Sequence, residues 1–248
     1  MMNIEKISKF KEIIDKSQYI VFFGGAGTST ESNIPDFRSS CGLYSKKSKY
    51  GVSPEEILSI DFFNNKTERF YEYLRENLIY PDALPNSTHF ALKNLEEKGK
   101  LKAIITQNID GLHQMAGSKN VIEIHGSLYN SYCQSCGEKF NLEYVLKYEG
   151  VPLCTKCRGK IRPDVVMYGE PLSNELFDNA VNHVVNADLL IVGGSSLLVY
   201  PAAGLIRKFK GENIVIINKT PTKYDSKATI VFDDNIGKVL GEVMKYLE

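Results

Sequence analysis

Four of the five cysteines stand in two pairs whose spacing suits metal binding. Cys133 and Cys136 form one CxxC pair, and Cys154 and Cys157 form a second pair seventeen residues later. Each pair can turn two thiolate sulfurs onto one tetrahedral ion, so we predict a single structural Zn2+. Four thiolates leave no coordination position for water, which argues against a zinc hydrolase. Two unrelated surface turns are the alternative interpretation.

A glycine-rich stretch, GGAGTSTESNIPDFR at residues 24–38, follows the apolar run 19–23. Glycines at the carboxyl end of a buried strand allow backbone amides to approach a pyrophosphate, which predicts dinucleotide binding. The pattern is incomplete, because Thr30 stands where the third glycine of G-x-G-x-x-G belongs and no strand ending in Asp or Glu follows about twenty residues later. When this stretch is considered alone, a tight turn without a ligand is an equal alternative.

One of the four histidines, His125, has a position in the sequence that suits acid–base catalysis. His125 ends the apolar run VIEIH and precedes a glycine. An imidazole in that position can protrude into a cleft and act as a general base near neutral pH. His89, His113 and His183 lie in helical patterns, where we expect packing or surface roles.

The elements that must position these residues are indicated by short apolar runs between amphipathic segments. The runs predict strands, and they occupy residues 19–23, 101–106, 121–125, 164–168, 188–194, 213–218 and 229–232. Apolar residues at helical spacing occupy residues 4–14, 88–97, 176–185 and 239–247. This alternation predicts an α/β fold with a Rossmann-like, mostly parallel sheet that helices cover on both faces.

Two regions interrupt the alternation and predict a smaller lobe. Residues 39–85 are helical in pattern and rich in aromatic residues, and residues 128–160 contain the cysteine pairs. We predict a helical module in the first region and a zinc-ribbon module in the second. The Rossmann-like dinucleotide-binding domain is then assembled from residues 1–38, 86–127 and 161–248.

The bulk composition excludes several classes of protein. The 248 residues carry 30 basic and 30 acidic side chains, so the chain lacks the basic surplus of a protein that binds nucleic acid or an anionic membrane. No apolar stretch approaches the roughly 18 residues that a membrane span requires. The N-terminal stretch is not a secretory signal, and grouped cysteines are typical of reduced thiols. We therefore expect a cytoplasmic protein without a nucleic-acid or membrane partner.

Six segments resemble, in order, the motifs of the sirtuin family of NAD-dependent protein-lysine deacylases. They are GAGTSTESNIPDFR, TQNIDGLHQMAGS (106–118), EIHGS (123–127), RPDVVMYGE (162–170), GGSSLLVYPAA (193–203) and IN (217–218). The cysteine pairs lie between the third and fourth segments, and the match covers nearly the whole chain. Asn33 replaces a glycine that is usual in the family, and asparagine tolerates a left-handed backbone. Ser195 replaces a common threonine and keeps the hydroxyl.

The resemblance implies a reaction and a role for each motif residue. The acyl group of an acyl-lysine passes to ADP-ribose, so that NAD is consumed as a co-substrate and nicotinamide, O-acetyl-ADP-ribose and free lysine are released. His125 is the implied base for a ribose hydroxyl, and Asn108 orders a water or a ribose hydroxyl. The implied cofactor-binding residues are Ala26, Gly27, Thr30, Asp36, Phe37, Arg38, Gln107, Asn108, Ile109, Asp110, Gly194, Ser195, Ser196, Asn218 and Ile236. The implied peptide-binding residues are Val166, Met167, Gly169 and Glu170, beside which the peptide adds as a strand.

The acyl preference follows from one helix of the 39–85 region. Family members that accept acidic acyl groups carry a Tyr-x-x-Arg pair, whereas here Arg75 follows Tyr71 by four positions. On a helix this shift rotates the guanidinium by about 100°, so we expect acetyl or apolar acyl groups in preference to succinyl. A mono-ADP-ribosyltransferase and a non-catalytic NAD-sensing module are the alternative functions. The sequence assigns no role to Cys41 and does not indicate the protein substrates or the oligomeric state.

Overall fold

The structure, a computed structural model, describes residues 4–40, 42–45 and 49–245, so Cys41 lies outside the described residues. The strands in chain order are β1 Ile20–Gly24, β2 Leu101–Thr106, β3 Val121–Glu123, β4 Gly126–Cys133, β5 Lys139–Asn141, β6 Ile161–Val165, β7 Leu189–Gly193, β8 Asn213–Ile217 and β9 Ile230–Phe232. The helices are α1 Ile4–Lys16, α2 Pro54–Ile57, α3 Ile60–Asn65, α4 Thr67–Asn77, α5 Ser87–Glu97, α6 Leu112–Met115, α7 Leu142–Leu146, α8 Asn174–Asn186 and α9 Ile236–Lys245.

The larger sheet of the described chain has six strands in the order β3-β2-β1-β7-β8-β9, and all neighbours pair in parallel. Every residue of β1 and β7 is buried, as expected for strands that are covered on both faces. The chain builds one side of the sheet outward from β1 and the other side outward from β7. These two strands therefore meet at a topological switch point, and the predicted Rossmann-like sheet is confirmed.

Helices cover both faces of the parallel sheet. On one face α1, α5 and α9 contribute Phe10, Leu92 and Val239, which are fully buried. On the opposite face α8 contributes Ala180, and the 3-10 segment Ala202–Lys208 packs beside it. Apolar residues that recur every three or four positions give each long helix one buried stripe. Within the described residues, no helix combines the length and the hydrophobicity that crossing a membrane demands.

The smaller sheet is antiparallel and has the order β5-β4-β6. The strand predicted over residues 164–168 is displaced, because β6 spans Ile161–Val165 and pairs with β4 and not with the parallel sheet. Gly126 makes this pairing possible, since a Cβ there would lie 2.0 Å from the carbonyl oxygen of Asp164. An apolar run indicates a buried strand but not the neighbour with which it pairs.

One hydrophobic core joins α3 and α4 to the small sheet. Phe63, Phe70 and Tyr71 from the helices pack with Leu128 of β4 and Ile161 of β6. The rings of Phe63 and Phe70 meet edge to face, with their centroids 5.0 Å apart. The helical segment and the cysteine-containing segment therefore stabilise each other through shared apolar surface.

Candidate active site and cysteine cluster

The loops that follow β1 and β7 lie backbone to backbone at the carboxyl edge of the parallel sheet. Gly25 N–H donates to the carbonyl of Gly193 at 3.1 Å, and Gly27 N–H donates to the carbonyl of Gly194 at 2.8 Å. A Cβ at Gly27 would lie 2.6 Å from the Cα of Gly194, which is too close for any side chain. Ala26 and Gly27 begin a 3-10 turn at this contact. The glycines thus serve loop-to-loop contact at the edge where α/β sheets bind dinucleotides.

A chain of hydrogen bonds links the loop after β1 to the loop after β2. The Asn108 amide nitrogen donates to the Ser29 hydroxyl at 3.0 Å, and this hydroxyl donates to Asp110 at 2.6 Å. The second Asp110 oxygen accepts from Leu112 N–H at 3.0 Å, and burial raises the pKa of Asp110. Ile109, between these side chains, accepts a backbone hydrogen bond from β4. The Asn108 amide and the Asp110 carboxyl are therefore held side by side.

Ser29 is a site residue that the sequence patterns do not select. It is 1% exposed and bonds to two of the predicted residues. A serine after a glycine-rich turn has no spacing that distinguishes it from an ordinary turn residue. Its role follows only from its two partners, which lie 79 and 81 positions away along the chain.

Gln107 joins the candidate base to the loop after β7. Its backbone carbonyl accepts from His125 Nδ1 at 3.1 Å, and its side-chain oxygen accepts from the Ser195 hydroxyl at 2.9 Å. A carbonyl can only accept, so Nδ1 carries the proton and Nε2 is the basic nitrogen of the neutral imidazole. Burial lowers the pKa of His125, and the bond to Gln107 opposes that shift. The imidazole is therefore neutral at pH 7.

His125 lies in the turn between the two sheets and not at the end of a strand. β3 ends at Glu123 and β4 begins at Gly126, so Ile124 and His125 form the connection. Val166 N–H donates to the carbonyl of His125 at 2.9 Å, which ties this turn to the segment predicted to bind the peptide. The candidate base thus lies where the predicted cofactor edge and the predicted peptide segment meet.

The loop that carries Phe37 is stabilised by its own backbone. Asn33 has φ +62°, the left-handed conformation that asparagine tolerates better than most residues. Asp36 Oδ1 accepts from the N–H groups of Arg38 and Ser39 at 3.1 and 2.8 Å. These two bonds hold the loop at Asp36, as its predicted role in loop ordering requires.

The other predicted cofactor residues also lie near the carboxyl edge of the parallel sheet. They differ in their hydrogen bonds and in their burial. The Thr30 hydroxyl donates to a carbonyl of the preceding turn at 3.0 Å, and the Asn218 amide donates to the carbonyl of Thr220 at 2.7 Å. Ser196 follows β7 and is half-buried. Ile236 begins α9, is 3% exposed and packs in the main core. Ile236 thus contributes to packing in the structure described.

The segment after β6 is anchored by an ion pair that no sequence motif indicates. The Arg162 guanidinium donates to both carboxylate oxygens of Glu170, at 2.7 and 2.8 Å. Glu170 also accepts from Met167 N–H at 3.0 Å, and the bond from Arg162 lowers the pKa of Glu170. Gly169 takes the left-handed φ of +91° that lets the chain turn back toward Glu170. The Glu170 carboxylate therefore holds the segment that presents Val166.

The four paired cysteines form one cluster. All four Sγ atoms lie within 4.8 Å of one another, with 3.5 Å between Cys133 and Cys157 and 3.7 Å between Cys136 and Cys154. A disulfide needs about 2.05 Å between its sulfurs. A tetrahedral zinc ion with Zn–S bonds of about 2.3 Å places its sulfurs roughly 3.8 Å apart. The cluster therefore fits a four-coordinate zinc ion and not two disulfides.

Both cysteine pairs are turned by the same backbone arrangement. Gly137 N–H donates to the carbonyl of Cys133 at 2.9 Å, and Arg158 N–H donates to the carbonyl of Cys154 at 3.0 Å. Gly137 and Arg158 have φ values of +73° and +62°. In each pair, the N–H two positions after the first cysteine donates to its sulfur at 3.4 Å. Each pair therefore places a backbone N–H against the sulfur of its first cysteine.

Two other histidines are buried side by side. The rings of His89 and His113 lie 4.7 Å apart and are 0% and 1% exposed. His89 Nδ1 accepts from Asn86 N–H at 3.1 Å and completes the capping box of α5. Burial lowers the pKa of His89 to about 4 and the pKa of His113 to about 3. Both rings are therefore neutral packing residues at pH 7.

Comparison with known proteins matches this site to one family. The profile of the Sir2 family matches residues 25–201, which include the glycine-rich loop, His125 and both cysteine pairs. A relative from Clostridium acetobutylicum, named NAD-dependent protein deacetylase, is 56% identical over 98% of this chain and 100% of its own length. A relative of the same name from Clostridium tetani is 57% identical over 96% of each chain.

Solved structures share the fold over nearly the whole chain. A complex of Sir2 with a p53 peptide and NAD+ is 40% identical with a TM-score of 0.85, covering 99% of this chain and 98% of that one. A Sir2 complex with deacetylated p53 peptide and 3'-O-acetyl-ADP-ribose is 40% identical with a TM-score of 0.88, covering 97% and 98%. Sir2Tm bound to a propionylated peptide is 38% identical with a TM-score of 0.85, covering 97% and 98%.

Proposed function

Because the chain belongs to the Sir2 family, we propose that it is an NAD-dependent protein-lysine deacetylase. The proposed reaction transfers the acyl group of an acyl-lysine to ADP-ribose and releases nicotinamide, O-acetyl-ADP-ribose and free lysine. The observation that carries the proposal is the orientation of His125, whose Nδ1 is held by the carbonyl of Gln107. This bond leaves Nε2 as the basic nitrogen, and the backbone carbonyl of His125 accepts from Val166 N–H in the predicted peptide segment.

His125 acts in this proposal as a general base through Nε2. Its lowered pKa keeps the ring neutral at pH 7, so Nε2 can accept a proton from a ribose hydroxyl. The imidazolium that forms keeps its hydrogen bond to the Gln107 carbonyl, which stabilises the positive charge. NAD supplies, when bound, the ribose carbon that nicotinamide leaves and that the amide oxygen of the acyl-lysine attacks.

The loop after β2 positions the nicotinamide and the ribose hydroxyls. Since the Asn108 nitrogen donates to Ser29, the Asn108 oxygen is left to accept from a water or a ribose hydroxyl. Ser29 and Leu112 each bond to one oxygen of Asp110 and so fix the plane of its carboxyl. Each oxygen retains a lone pair for the carboxamide of nicotinamide. The proposed roles of Asn108 and Asp110 therefore depend on Ser29.

Apolar side chains keep water from the reacting centre. Phe37 covers the ribose in this proposal, on a loop that Asp36 orders through two backbone hydrogen bonds. Met167, 4% exposed, adds apolar surface beside Val166 on the peptide side. A weak nucleophile such as an amide oxygen depends on tight positioning and on the exclusion of competing water.

The cysteine cluster has a structural role in this proposal. Cys133, Cys136, Cys154 and Cys157 bind one Zn2+, and four thiolates leave the ion no open position for chemistry. The ion holds the turn after β4 against the turn before β6, and its binding contributes directly to folding. Reduced thiolates of this kind fit the proposed cytoplasmic location.

The proposed domain organisation follows from these cores. The Rossmann-like domain comprises residues 1–38, 86–127 and 161–248, with the exception that β6, Ile161–Val165, pairs with the small sheet. The smaller lobe comprises the helical module 39–85 and the zinc-binding module 128–160. The shared packing of Phe63, Phe70 and Tyr71 with the small sheet supports the assignment of both modules to one lobe.

The proposed preference is for acetyl or apolar acyl groups over succinyl. The Tyr71 hydroxyl donates to the carbonyl of Ile161 at 2.7 Å and is fully buried. The Arg75 guanidinium donates to the carbonyls of Glu149 and Gly150 at 3.1 and 2.5 Å. Main-chain carbonyls thus engage the Tyr71 hydroxyl and both terminal nitrogens of Arg75, which argues against a role for this pair in binding the carboxylate of an acidic acyl chain.

One assay tests the proposed function and its acyl preference together. The zinc-loaded protein is incubated with NAD and the acetylated or succinylated form of one peptide. We expect nicotinamide and O-acetyl-ADP-ribose in equal amounts from the acetyl form, and much slower turnover of the succinyl form. Label from NAD that stays on protein without deacylation would indicate an ADP-ribosyltransferase. Binding of NAD with no nicotinamide release would indicate a binding module.

A further inference from the structure

We propose that Tyr44 and Tyr168 form a positioning pair through which NAD and the acyl-peptide strengthen each other's binding. Their hydroxyl oxygens lie 2.6 Å apart, although 124 positions separate the two residues along the chain. The inference rests on the proposed function, because its two ligands are the proposed substrates. No motif of the sequence pairs these tyrosines.

Tyr44 belongs to the loop that carries Phe37. Tyr44 N–H donates to the carbonyl of Phe37 at 2.9 Å, and Leu43 N–H donates to the carbonyl of Asp36 at 2.8 Å. The rings of Phe37 and Tyr44 meet edge to face with centroids 5.5 Å apart, and the Arg38 guanidinium lies 5.3 Å from the Tyr44 ring. A displacement of Phe37, Arg38 or Asp36 therefore moves Tyr44 as well.

Tyr168 belongs to the segment that presents Val166 and Met167. Its N–H donates to the carbonyl of Leu58 and its carbonyl accepts from Ile60 N–H, each at 3.0 Å. Val166, two positions earlier, donates its N–H to the carbonyl of His125. The backbone of Tyr168 is thus fixed on both sides, and its side chain extends from a rigid support to the hydroxyl of Tyr44.

The Tyr44 hydroxyl enters this bond in its neutral form. Burial raises the pKa of Tyr44 well above its usual range, and the hydrogen bond with Tyr168 raises this pKa further. The Tyr44 hydroxyl therefore stays protonated over the pH range in which a histidine base works. Tyr168 remains 38% exposed, so water can replace either lost hydroxyl without leaving a buried unpaired group.

This geometry makes the two binding events interdependent. A ligand that orders the Phe37 loop holds the Tyr44 hydroxyl against Tyr168, and a peptide bound along the fixed segment after β6 restrains the Tyr168 side chain, whose hydroxyl then holds Tyr44. Coupling between two ligands is reciprocal, so each should raise the affinity for the other by the same factor. One neutral hydrogen bond corresponds to roughly a fivefold effect.

The test compares Tyr44→Phe, Tyr168→Phe and the double variant, which keep all the rings. The KM for NAD is measured at low and at saturating acetyl-peptide, and the ratio of the two values is the coupling factor. We expect each single variant to reduce this factor about three- to tenfold. The double variant should match the single variants, since either substitution removes the same bond. The kcat at saturation with both substrates should change less than the coupling factor, which a general loss of structure would not produce.

Tyr148→Phe is the matched control. It removes a tyrosine pair of similar length, 2.7 Å between the hydroxyls of Tyr144 and Tyr148, in the cysteine-containing segment. Its coupling factor should equal that of the unsubstituted protein. Equal coupling factors in all variants, or single effects that add in the double variant, would overturn the positioning pair while leaving the deacetylase intact. Absence of turnover in the unsubstituted protein would instead overturn the proposed function and this inference with it.

Discussion

The carboxyl edge of the parallel sheet and the cysteine cluster both hold several side chains at fixed distances, but they do so by different means. At the edge, Ser29 bonds to Asn108 across 79 positions, and Gln107 bonds to Ser195 across 88. In the cluster, each pair of sulfurs is turned by a closed local loop of about five residues that any CxxC knuckle can form. The edge depends on how strands pair, whereas in the cluster the proposed zinc ion would join two local turns.

The difference teaches which region can lose a residue without losing its structure. At the edge, buried strands and their backbone hydrogen bonds maintain the structure. The polar side chains lie at the strand ends and contribute little to it. In the cluster, Cys133 and Cys154 belong to the core that the small sheet shares with α3 and α4, and the proposed metal ligation would add to the stability of that core. A substitution in the cluster should therefore affect stability, and one at the edge should affect turnover.

The largest expected effect is that of Cys133→Ser on stability. Removal of one thiolate from a four-cysteine site forfeits about 5 kcal/mol or more and should lower the Tm by roughly 10 °C or more. Metal content by mass spectrometry and the Tm by calorimetry measure both losses. Ser135→Ala, a change within the same knuckle that keeps the backbone N–H bonded to Cys133, should leave both values unchanged. Stoichiometric metal with an unchanged Tm in Cys133→Ser would show that the cluster is not a structural zinc site.

The next effect is that of His125→Ala on turnover. Loss of a general base should lower kcat by about 100-fold to 10,000-fold, or roughly 3–5 kcal/mol, with a Tm close to that of the unsubstituted protein. Nicotinamide release measures the rate. His183→Ala removes another imidazole, which bonds to the Tyr19 hydroxyl at 2.9 Å, and should keep full turnover. Equal rates for the two variants would place the base elsewhere.

The smallest expected effect concerns the buried His89 and His113. The folded-state pKa values of about 4 and about 3 lie below the unfolded value near 6.5, so the unfolded chain binds more protons at acid pH. The free energy of unfolding should fall as the pH drops from about 6.5 toward 4, by about 1.4 kcal/mol per pH unit for each histidine. Urea unfolding of the protein and of His113→Met between pH 7 and 5 measures the slopes.

The comparison of the two slopes removes contributions that are common to both proteins, including acid loss of metal. His113→Met should show a shallower slope, with a difference that grows below pH 6.5 and approaches about 1.4 kcal/mol per pH unit near pH 5. Parallel slopes would mean that His113 is accessible to protons in the folded state. This result would also weaken the contrast between a rigid sheet edge and a metal-dependent cluster.

Much of the fold could be predicted because its elements carry strong local patterns. The run Tyr19 to Phe23 is apolar throughout, which is typical of a strand covered on both faces, and β1 is buried at every position. The regions that interrupt the alternation of strands and helices, residues 39–85 and 128–160, contribute no strand to the described parallel sheet. The run over residues 164–168 led to an error, because hydrophobicity does not specify whether a strand joins the parallel or the antiparallel sheet.

The site could be predicted only where a motif marks its residues. Gln107, Asn108 and Ser195 follow apolar runs and meet at one edge, because parallel strands end on the same side of a sheet. Ser29 and Arg162 lie within quoted motif segments but receive no role from them, since a buried serine and an arginine in an ion pair look in sequence like a turn residue and a surface charge. Their roles depend on partners that only the folded chain supplies.

The sequence by itself determined the short-range features of this protein: the buried strands, the amphipathic helices, the two cysteine knuckles and the glycines that follow β1. These depend on the periodicity and backbone preferences of neighbouring residues. Only the tertiary structure decided which strand pairs with which, which nitrogen of His125 carries the proton and that Tyr44 meets Tyr168. Those outcomes are set by contacts between distant segments, and such contacts form only when burial of the shared cores offsets the entropy lost in bringing the segments together.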